Sequence, residues 1–298
     1  MKACFTDGYY VPLPNGHRFP MGKFPALHGI LLDEGLISGS DVVEPEEACW
    51  TDLGLVHDSG YLDALREGTL DRTTERRMGL PWSAPLVRRS RLATSGTSCA
   101  VRLALADGIA ANLAGGMHHG YPGYGEGFCV LNDVAVAARC LQRDRPDTRI
   151  LLIDLDVHQG NGNAAIFSDD DCVFTFSVHG ARNFPFKKEV SDHDVSLEDG
   201  LGDAAYLSVV NDHLDSVYER ARPDLVIYLA GVDVVAGDRF GRLNLTIDGL
   251  ARRDRTVLES AKSRGIPIAL VLAGGYAETP EQTAYLHAEV HRQAKKVF

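Results

Sequence analysis

From about residue 86 onward the chain alternates short, nearly unbroken apolar runs with longer amphipathic stretches, and this rhythm leaves few folds open to it. The apolar runs are Ile109 to Ala114, Ile150 to Ile153, Val173 to Val178, Leu225 to Ala230 and Ile266 to Ala273. A half-buried strand alternates apolar and polar residues. These runs do not, so each is expected to be a strand covered on both faces. The stretches between them, Cys129 to Gln142, Ala204 to Ala221, Gly249 to Ser263 and Glu278 to Ala294, are expected to be helices. In the second of these, Tyr206, Val209, Val210, Leu214, Val217 and Tyr218 recur at three- and four-residue spacing, which gathers them on the side facing a sheet. Strand and helix in alternation predict an α/β fold around a mainly parallel sheet.

The first 85 residues read differently. Pro12, Pro14, Pro20, Pro25, Pro45, Pro81 and Pro85 interrupt shorter segments, so an initial strand, Ala3 to Thr6, is expected to lead into loops and short helices that wrap the sheet. No linker-like boundary separates them from the rest, and 298 residues can bury one large core, so 1–298 reads as a single domain.

Charge and cysteine usage narrow the function. Thirty Lys and Arg stand against 41 Asp and Glu, a net charge of −11, which repels a phosphate backbone; nucleic acid is not an expected partner. No run nears the ~18 apolar residues of a membrane span, so no membrane partner is expected either. Cys4, Cys49, Cys99, Cys129, Cys140 and Cys172 form no CxxC pair, and several lie in apolar runs, as reduced buried thiols do. Without an apolar leader after Met1, a cytoplasmic location is expected.

The polar residues at the ends of the apolar runs carry the chemistry. Successive runs end in His118-His119, in Asp154, Asp156 and His158, in His179, in Asp233 and in Tyr276. Ligand sites of open parallel sheets form at that carboxyl edge. On an extended chain Asp154, Asp156 and His158 share a face, and each uncompensated buried charge costs several kcal/mol, so a cation is expected beside them. Asp156, His158 and Asp233 make a three-ligand set with one position open, the pattern of a catalytic zinc or similar divalent ion. Two ligating carboxylates neutralise Zn²⁺, which leaves Asp154 to orient His118 or to hold a monovalent cation. Tyr276, after Gly274-Gly275, can offer its hydroxyl to an oxyanion. Taken singly, each feature has a plainer reading: a surface histidine pair, a charged loop, a packing tyrosine.

Together they resemble the zinc-dependent histone deacetylase family. The resemblance rests on Gly115-Gly116-Met117-His118-His119, Gly127-Phe128-Cys129, Leu131-Asn132-Asp133, the run Ile153 to Gly162, Ala230-Gly231-Val232-Asp233 with Ala236-Gly237-Asp238-Arg239, and Gly274-Gly275-Tyr276. Earlier segments, Pro12 to Met21, Val56-His57 with Tyr61-Leu62, and Arg76 to Ser83, resemble the short class IV branch. The resemblance implies the arginase/deacetylase fold, with about eight strands flanked by helices. It also implies a zinc-dependent amidohydrolase that removes acetyl or longer acyl groups from an amine such as acyl-lysine. Asp156, His158 and Asp233 match its zinc ligands, His118 and His119 its paired histidines, Tyr276 its carbonyl-polarising tyrosine and Asp154 the carboxylate behind the first histidine. Asp154, the main chain of Asp156 and His158, Ser177 and Val178 resemble its potassium site. Gly127 and Phe128 match one wall of its acyl-lysine tunnel and Phe184 the other.

By this resemblance His119 takes the proton of the attacking water and later protonates the departing amine, while His118 gives electrostatic support. Two departures stand out. Asn161 replaces the aspartate that many relatives place behind the second histidine. Where many relatives carry an acidic rim residue, this chain reads Arg88-Arg89-Ser90-Arg91. The alternatives are an acylpolyamine or small-metabolite deacylase, a manganese ureohydrolase of the same fold, and a non-catalytic acyl-lysine binder. A ureohydrolase needs a bridging carboxylate two residues after the ligating histidine, where this chain has Gly160.

Overall fold

The structure, a computed structural model, describes residues 1–298. Eight strands form one sheet: β1 (Lys2–Cys4), β2 (Val42–Val43), β3 (Ile109–Asn112), β4 (Ile150–Asp154), β5 (Val173–Gly180), β6 (His193–Leu197), β7 (Leu225–Leu229) and β8 (Ile268–Val271). Their order is β2-β1-β3-β8-β7-β4-β5-β6, and every pairing is parallel. Parallel strands need crossovers, and the helices supply them. Short α1 (Lys23–Asp33), α2 (Trp50–Leu53), α3 (Ser59–Glu67) and α4 (Arg72–Met78) occupy the proline-punctuated start, followed by α5 (Ala84–Asp107), α6 (Asp133–Asp144), α7 (Asn161–Phe167), α8 (Asp203–Ala221), α9 (Ile247–Ser263) and α10 (Pro280–Val297).

The unbroken apolar runs are explained by burial on both faces. In β4, Leu151 and Ile153 enter the larger core while Ile150 and Leu152 enter a second core on the opposite face. In β7, Val226 and Tyr228 divide in the same way from Leu225, Ile227 and Leu229. Each strand therefore has no polar face to display.

Element ends differ from expectation where the site begins. The stretch from Cys129 is apolar but not helical until Asp133, because Asn132 accepts the Ala135 N–H as an N-cap and the preceding residues form a loop above the sheet. Within the run to Ala273 the strand itself ends at Val271, and Ala273 turns into the left-handed region at φ 57°. Two elements had little signal. Helix α5 buries small polar residues among its apolar ones: Ser90, Thr94 and Thr97 each return a hydroxyl hydrogen bond to the carbonyl four residues earlier, which interrupts the apolar stripe of its inner face. Edge strand β6 alternates with only Leu197 buried.

Candidate active site and metal centre

The five central strands β3, β8, β7, β4 and β5 deliver their carboxyl ends to one place. Asp156 and His158 follow β4, and Asp233 follows β7, its neighbour in the sheet. His158 Nδ1 lies 3.0 Å from Asp156 Oδ1 and 3.1 Å from Asp233 Oδ2. All three residues are buried, and their donor atoms lie within 4.8 Å of one another. Tetrahedral zinc with bonds near 2.0 Å requires donors about 3.3 Å apart, so this set fits such an ion. Burial, and then the charge of Asp156, push the Asp233 carboxyl up to about 7. Two carboxylates held together out of water call for a cation.

Backbone contacts fix the carboxylates. Asp156 accepts the N–H groups of His158 (2.8 Å) and Gly274 (2.6 Å), and Asp233 accepts that of Val157 (2.9 Å). A Cβ on Gly274 would fall 2.0 Å from Asp233 Oδ2 and 2.5 Å from Asp156 Oδ2, so only glycine lets this backbone come so close. Below, buried Arg253 of α9 donates through Nη1 to Leu155 O (3.1 Å) and Gly231 O (2.6 Å), tying together the two loops that carry the ligands. Its Nε and Nη2 hold Asp254. Arg253→Met should therefore lower unfolding free energy by about 3 kcal/mol, since it strands a buried carboxylate and two carbonyls. Urea denaturation checks this, and a loss below about 0.5 kcal/mol would remove Arg253 from the support of the site.

The histidine pair stands on a turn held by Asp133. That buried carboxylate accepts the N–H groups of Gly116 (3.0 Å) and Met117 (2.7 Å) and the Thr97 hydroxyl. His118 donates from Nδ1 to Asp154 at 2.7 Å, and His119 donates from Nδ1 to Asn161 Oδ1 at 2.6 Å. The two rings then behave oppositely. Burial alone would depress His118, but Asp154 and Asp156 outweigh it and hold the imidazole up to about 9. Burial, aided by the neighbouring His118 and His158, drives His119 well below the usual histidine value. In the metal-free site these environments favour the charged form of His118 and the neutral form of His119 near pH 7.

Asn161 is itself positioned. Its Nδ2 donates to Glu126 Oε2 (3.0 Å) and to the Tyr121 hydroxyl (3.1 Å), which in turn donates to Glu189. A carboxylate thus stands one residue further from His119 than in an aspartate-bearing relative. Nothing in the sequence marked Glu126 or Tyr121, because their relation to His119 runs through a side-chain amide.

A cavity of about 290 Å³ opens above these groups, lined by His119, His158, Tyr276, Gly127, Phe128 and Phe184 among others. The Phe184 ring packs edge-on against His119 at 4.9 Å between centroids, while Phe128 lies 5.8 Å from Tyr276. All three residues assigned to a tunnel wall therefore meet here. Tyr276 is buried, and Asp238 fixes it by accepting its N–H at 2.7 Å. Burial and the nearby Asp156 and Asp233 hold its phenol well above its ordinary value, so it is a hydroxyl donor at neutral pH. Beneath lies a smaller space of about 40 Å³ lined by Lys23, Arg89 and Met117 among others. Lys23 donates to Ala273 O (3.1 Å), and burial brings its ammonium down to about 8.

Two further placements complete the site. The Arg88-Arg91 stretch is not at the cavity rim: it lies on α5, with Arg89 buried below the site and Arg88 and Arg91 paired to Glu47. Asp154 and Ser177 do stand opposite each other in the β4–β5 register, but the Ser177 hydroxyl meets His179 Nδ1 at 3.0 Å.

The family model of the histone deacetylase domain matches residues 17–292. An uncharacterized protein of Picosynechococcus sp. is 48% identical over 298 residues, covering 99% of each chain. Histone deacetylase 2 of Arabidopsis thaliana is 31% identical over 88% of this chain and 70% of its own length, and histone deacetylase 1 of Homo sapiens is 30% identical over 92% and 61%. The crystal structure of the HDA15 HD domain superposes with a TM-score of 0.79 at 21% identity, over 99% of this chain and 91% of that one, which establishes the fold. With a family match across nearly its whole length and relatives at 30% identity and above, the chain belongs to the histone deacetylase family.

Proposed function

We propose that this protein is a zinc-dependent amidohydrolase that removes an acyl group from an amine such as acyl-lysine. Family membership supports deacetylase chemistry in general. The observation that carries the finer reading is a buried Asp-His-Asp set whose histidine, His158, meets the His119 imidazole and the Tyr276 phenol on one cavity floor.

Asp156, His158 and Asp233 would hold the zinc, which when bound supplies Lewis acidity and a nucleophile near neutral pH. His119 receives the water proton on Nε2, since Nδ1 carries the hydrogen given to Asn161, and returns it to the departing amine. His118, anchored by Asp154, would give electrostatic support beside the developing oxyanion. Tyr276 donates its hydroxyl to that oxyanion. Gly127, Phe128 and Phe184 flank the amine-bearing chain and keep water away. The small inner space suits an acetyl methyl better than a long acyl chain. Asp154, Ser177 and the main chain of Asp156, His158 and Val178 would hold a potassium ion as structural support. A single cluster of three or more metal-binding side chains favours one catalytic ion over the two of a ureohydrolase.

The test is release of the free amine from acetyl-lysine peptides, acetylpolyamines and octanoyl-lysine peptides, with acetate or octanoate as the other product, by protein stripped with a chelator and then reloaded. Zinc should restore turnover on the acetylated amines. No turnover with any substrate after reloading with zinc or manganese would reject the reading.

The pH profile tests His119 separately. A carboxylate at position 161 favours the imidazolium, so Asn161→Asp should raise the His119 pKa and move the acidic limb of kcat/KM upward by about one pH unit. A limb at the wild-type pH would take His119 out of the role of base.

A further inference from the structure

The rim of the larger cavity carries groups that the chemistry below does not use. His119, His158 and Tyr276 lie buried at the floor, whereas the Arg182 and Arg242 side chains at the other end are 66% and 53% exposed. No carboxylate lines this cavity. Both guanidinium groups lean on the one carboxylate of Asp199, behind the lining, through single contacts of 3.4 Å from Arg182 Nε and 3.3 Å from Arg242 Nη1. Each guanidinium has five N–H donors, so most of its donor capacity stays open. Two positive side chains against one negative leave positive charge in excess, on a chain whose net charge is −11.

Resting on the deacylase reading, the polarity of the bound substrate is set. Its acyl carbonyl sits on the floor, its alkyl chain runs out between Phe128 and Phe184, and whatever the chain bears at its far end emerges beside the two arginines. We propose that Arg182 and Arg242 form a carboxylate-recognition site, and that the preferred substrate is an acylated amine carrying a carboxylate about one lysine side chain from the amide. Guanidinium forks match carboxylate oxygens. The carboxylate can be the free α-carboxylate of acyl-lysine itself or an acidic residue beside acyl-lysine in a peptide. An acylpolyamine would instead bring an ammonium against two guanidinium groups.

The experiment compares zinc-loaded wild type with Arg182→Ala/Arg242→Ala and with Asp199→Asn. Substrates are Nε-acetyl-lysine, its α-amide, N-acetylcadaverine, and matched acetyl-lysine tripeptides with Glu, Gln or Lys next to the acetylated residue. Exposed charge pairs are weak singly, so the anionic member of each matched set should lead its neutral partner by about 3- to 10-fold in kcat/KM at low salt. That ratio should shrink in 0.5 M salt, fall toward one in the double arginine variant, and widen in Asp199→Asn, which removes the competing charge. A lead for free acetyl-lysine over its amide assigns the site to the α-carboxylate; a lead only for Glu over Gln assigns it to a peptide neighbour. Equal rates within both sets, or a ratio that survives the double substitution, would overturn the proposal. If no substrate turns over, the deacylase reading fails first. Binding of the methyl-ketone isosteres of the same compounds then decides the rim by itself, since charge discrimination lost in the double variant upholds it and equal affinity refutes it.

Discussion

Tyr276→Phe should lower kcat by about 10²- to 10³-fold and leave KM within a few-fold, the pattern expected when a donor acts on charge that develops only in the transition state. The substitution removes one oxygen from a ring that otherwise packs against Phe128, Phe240 and Phe19 at centroid distances of 5.8, 4.9 and 6.4 Å. Those contacts survive in phenylalanine, so thermal stability should be nearly unchanged and folding does not confound the result. The Tyr276 main chain is held independently through Asp238. A kcat within about threefold of wild type would take the phenol out of the chemistry and leave it a packing residue.

Asp233→Asn should separate metal binding from folding. With one of three ligands neutralised, zinc should no longer raise the melting temperature, and turnover should fall by at least about 10³-fold, because several kcal/mol of charge stabilisation are lost. The metal-free fold should keep most of its stability. Asparagine can keep the hydrogen bond from Val157 N–H, and the loss of one of two adjacent buried negative charges offsets the contact given up to His158 Nδ1. The pH dependence gives a second check. In the metal-free protein the Asp233 pKa is raised from its ordinary 3.8 to about 7, so the folded state binds the extra proton between those values. Its contribution to stability is present below about pH 4 and is lost as pH climbs to about 7. The amide of the variant cannot titrate, so the slope between pH 4 and 7 should flatten. A metal-free melting temperature well below wild type, or an undiminished response to zinc, would contradict this picture.

Much of this was legible from residue types alone. Strands covered on both faces cannot hide among polar alternation, so β3, β4, β5, β7 and β8 announced themselves, and with them the edge at which Asp156, His158, Asp233 and Tyr276 gather. The less legible parts share a physical cause. Helix α5 buries Ser90, Thr94 and Thr97 against its own carbonyls, so polar residues interrupt the apolar pattern of its inner face. Glu126 and Arg253 act on the site through an amide and through two carbonyls, relations between residues 35 and up to 98 positions apart that no local spacing encodes. Arg182 and Arg242 sit on separate loops and become a pair only around Asp199.

The proposed chemistry depends above all on one divalent ion bound by Asp156, His158 and Asp233. Calorimetric titration of metal-stripped protein with zinc, read alongside the acetate released at each point, addresses this directly. One zinc per chain should bind, and turnover should rise in proportion until that equivalent is reached, with proton release as the triad gives up its hydrogens. Full turnover by the stripped protein, or turnover that appears only with a second equivalent, would contradict it.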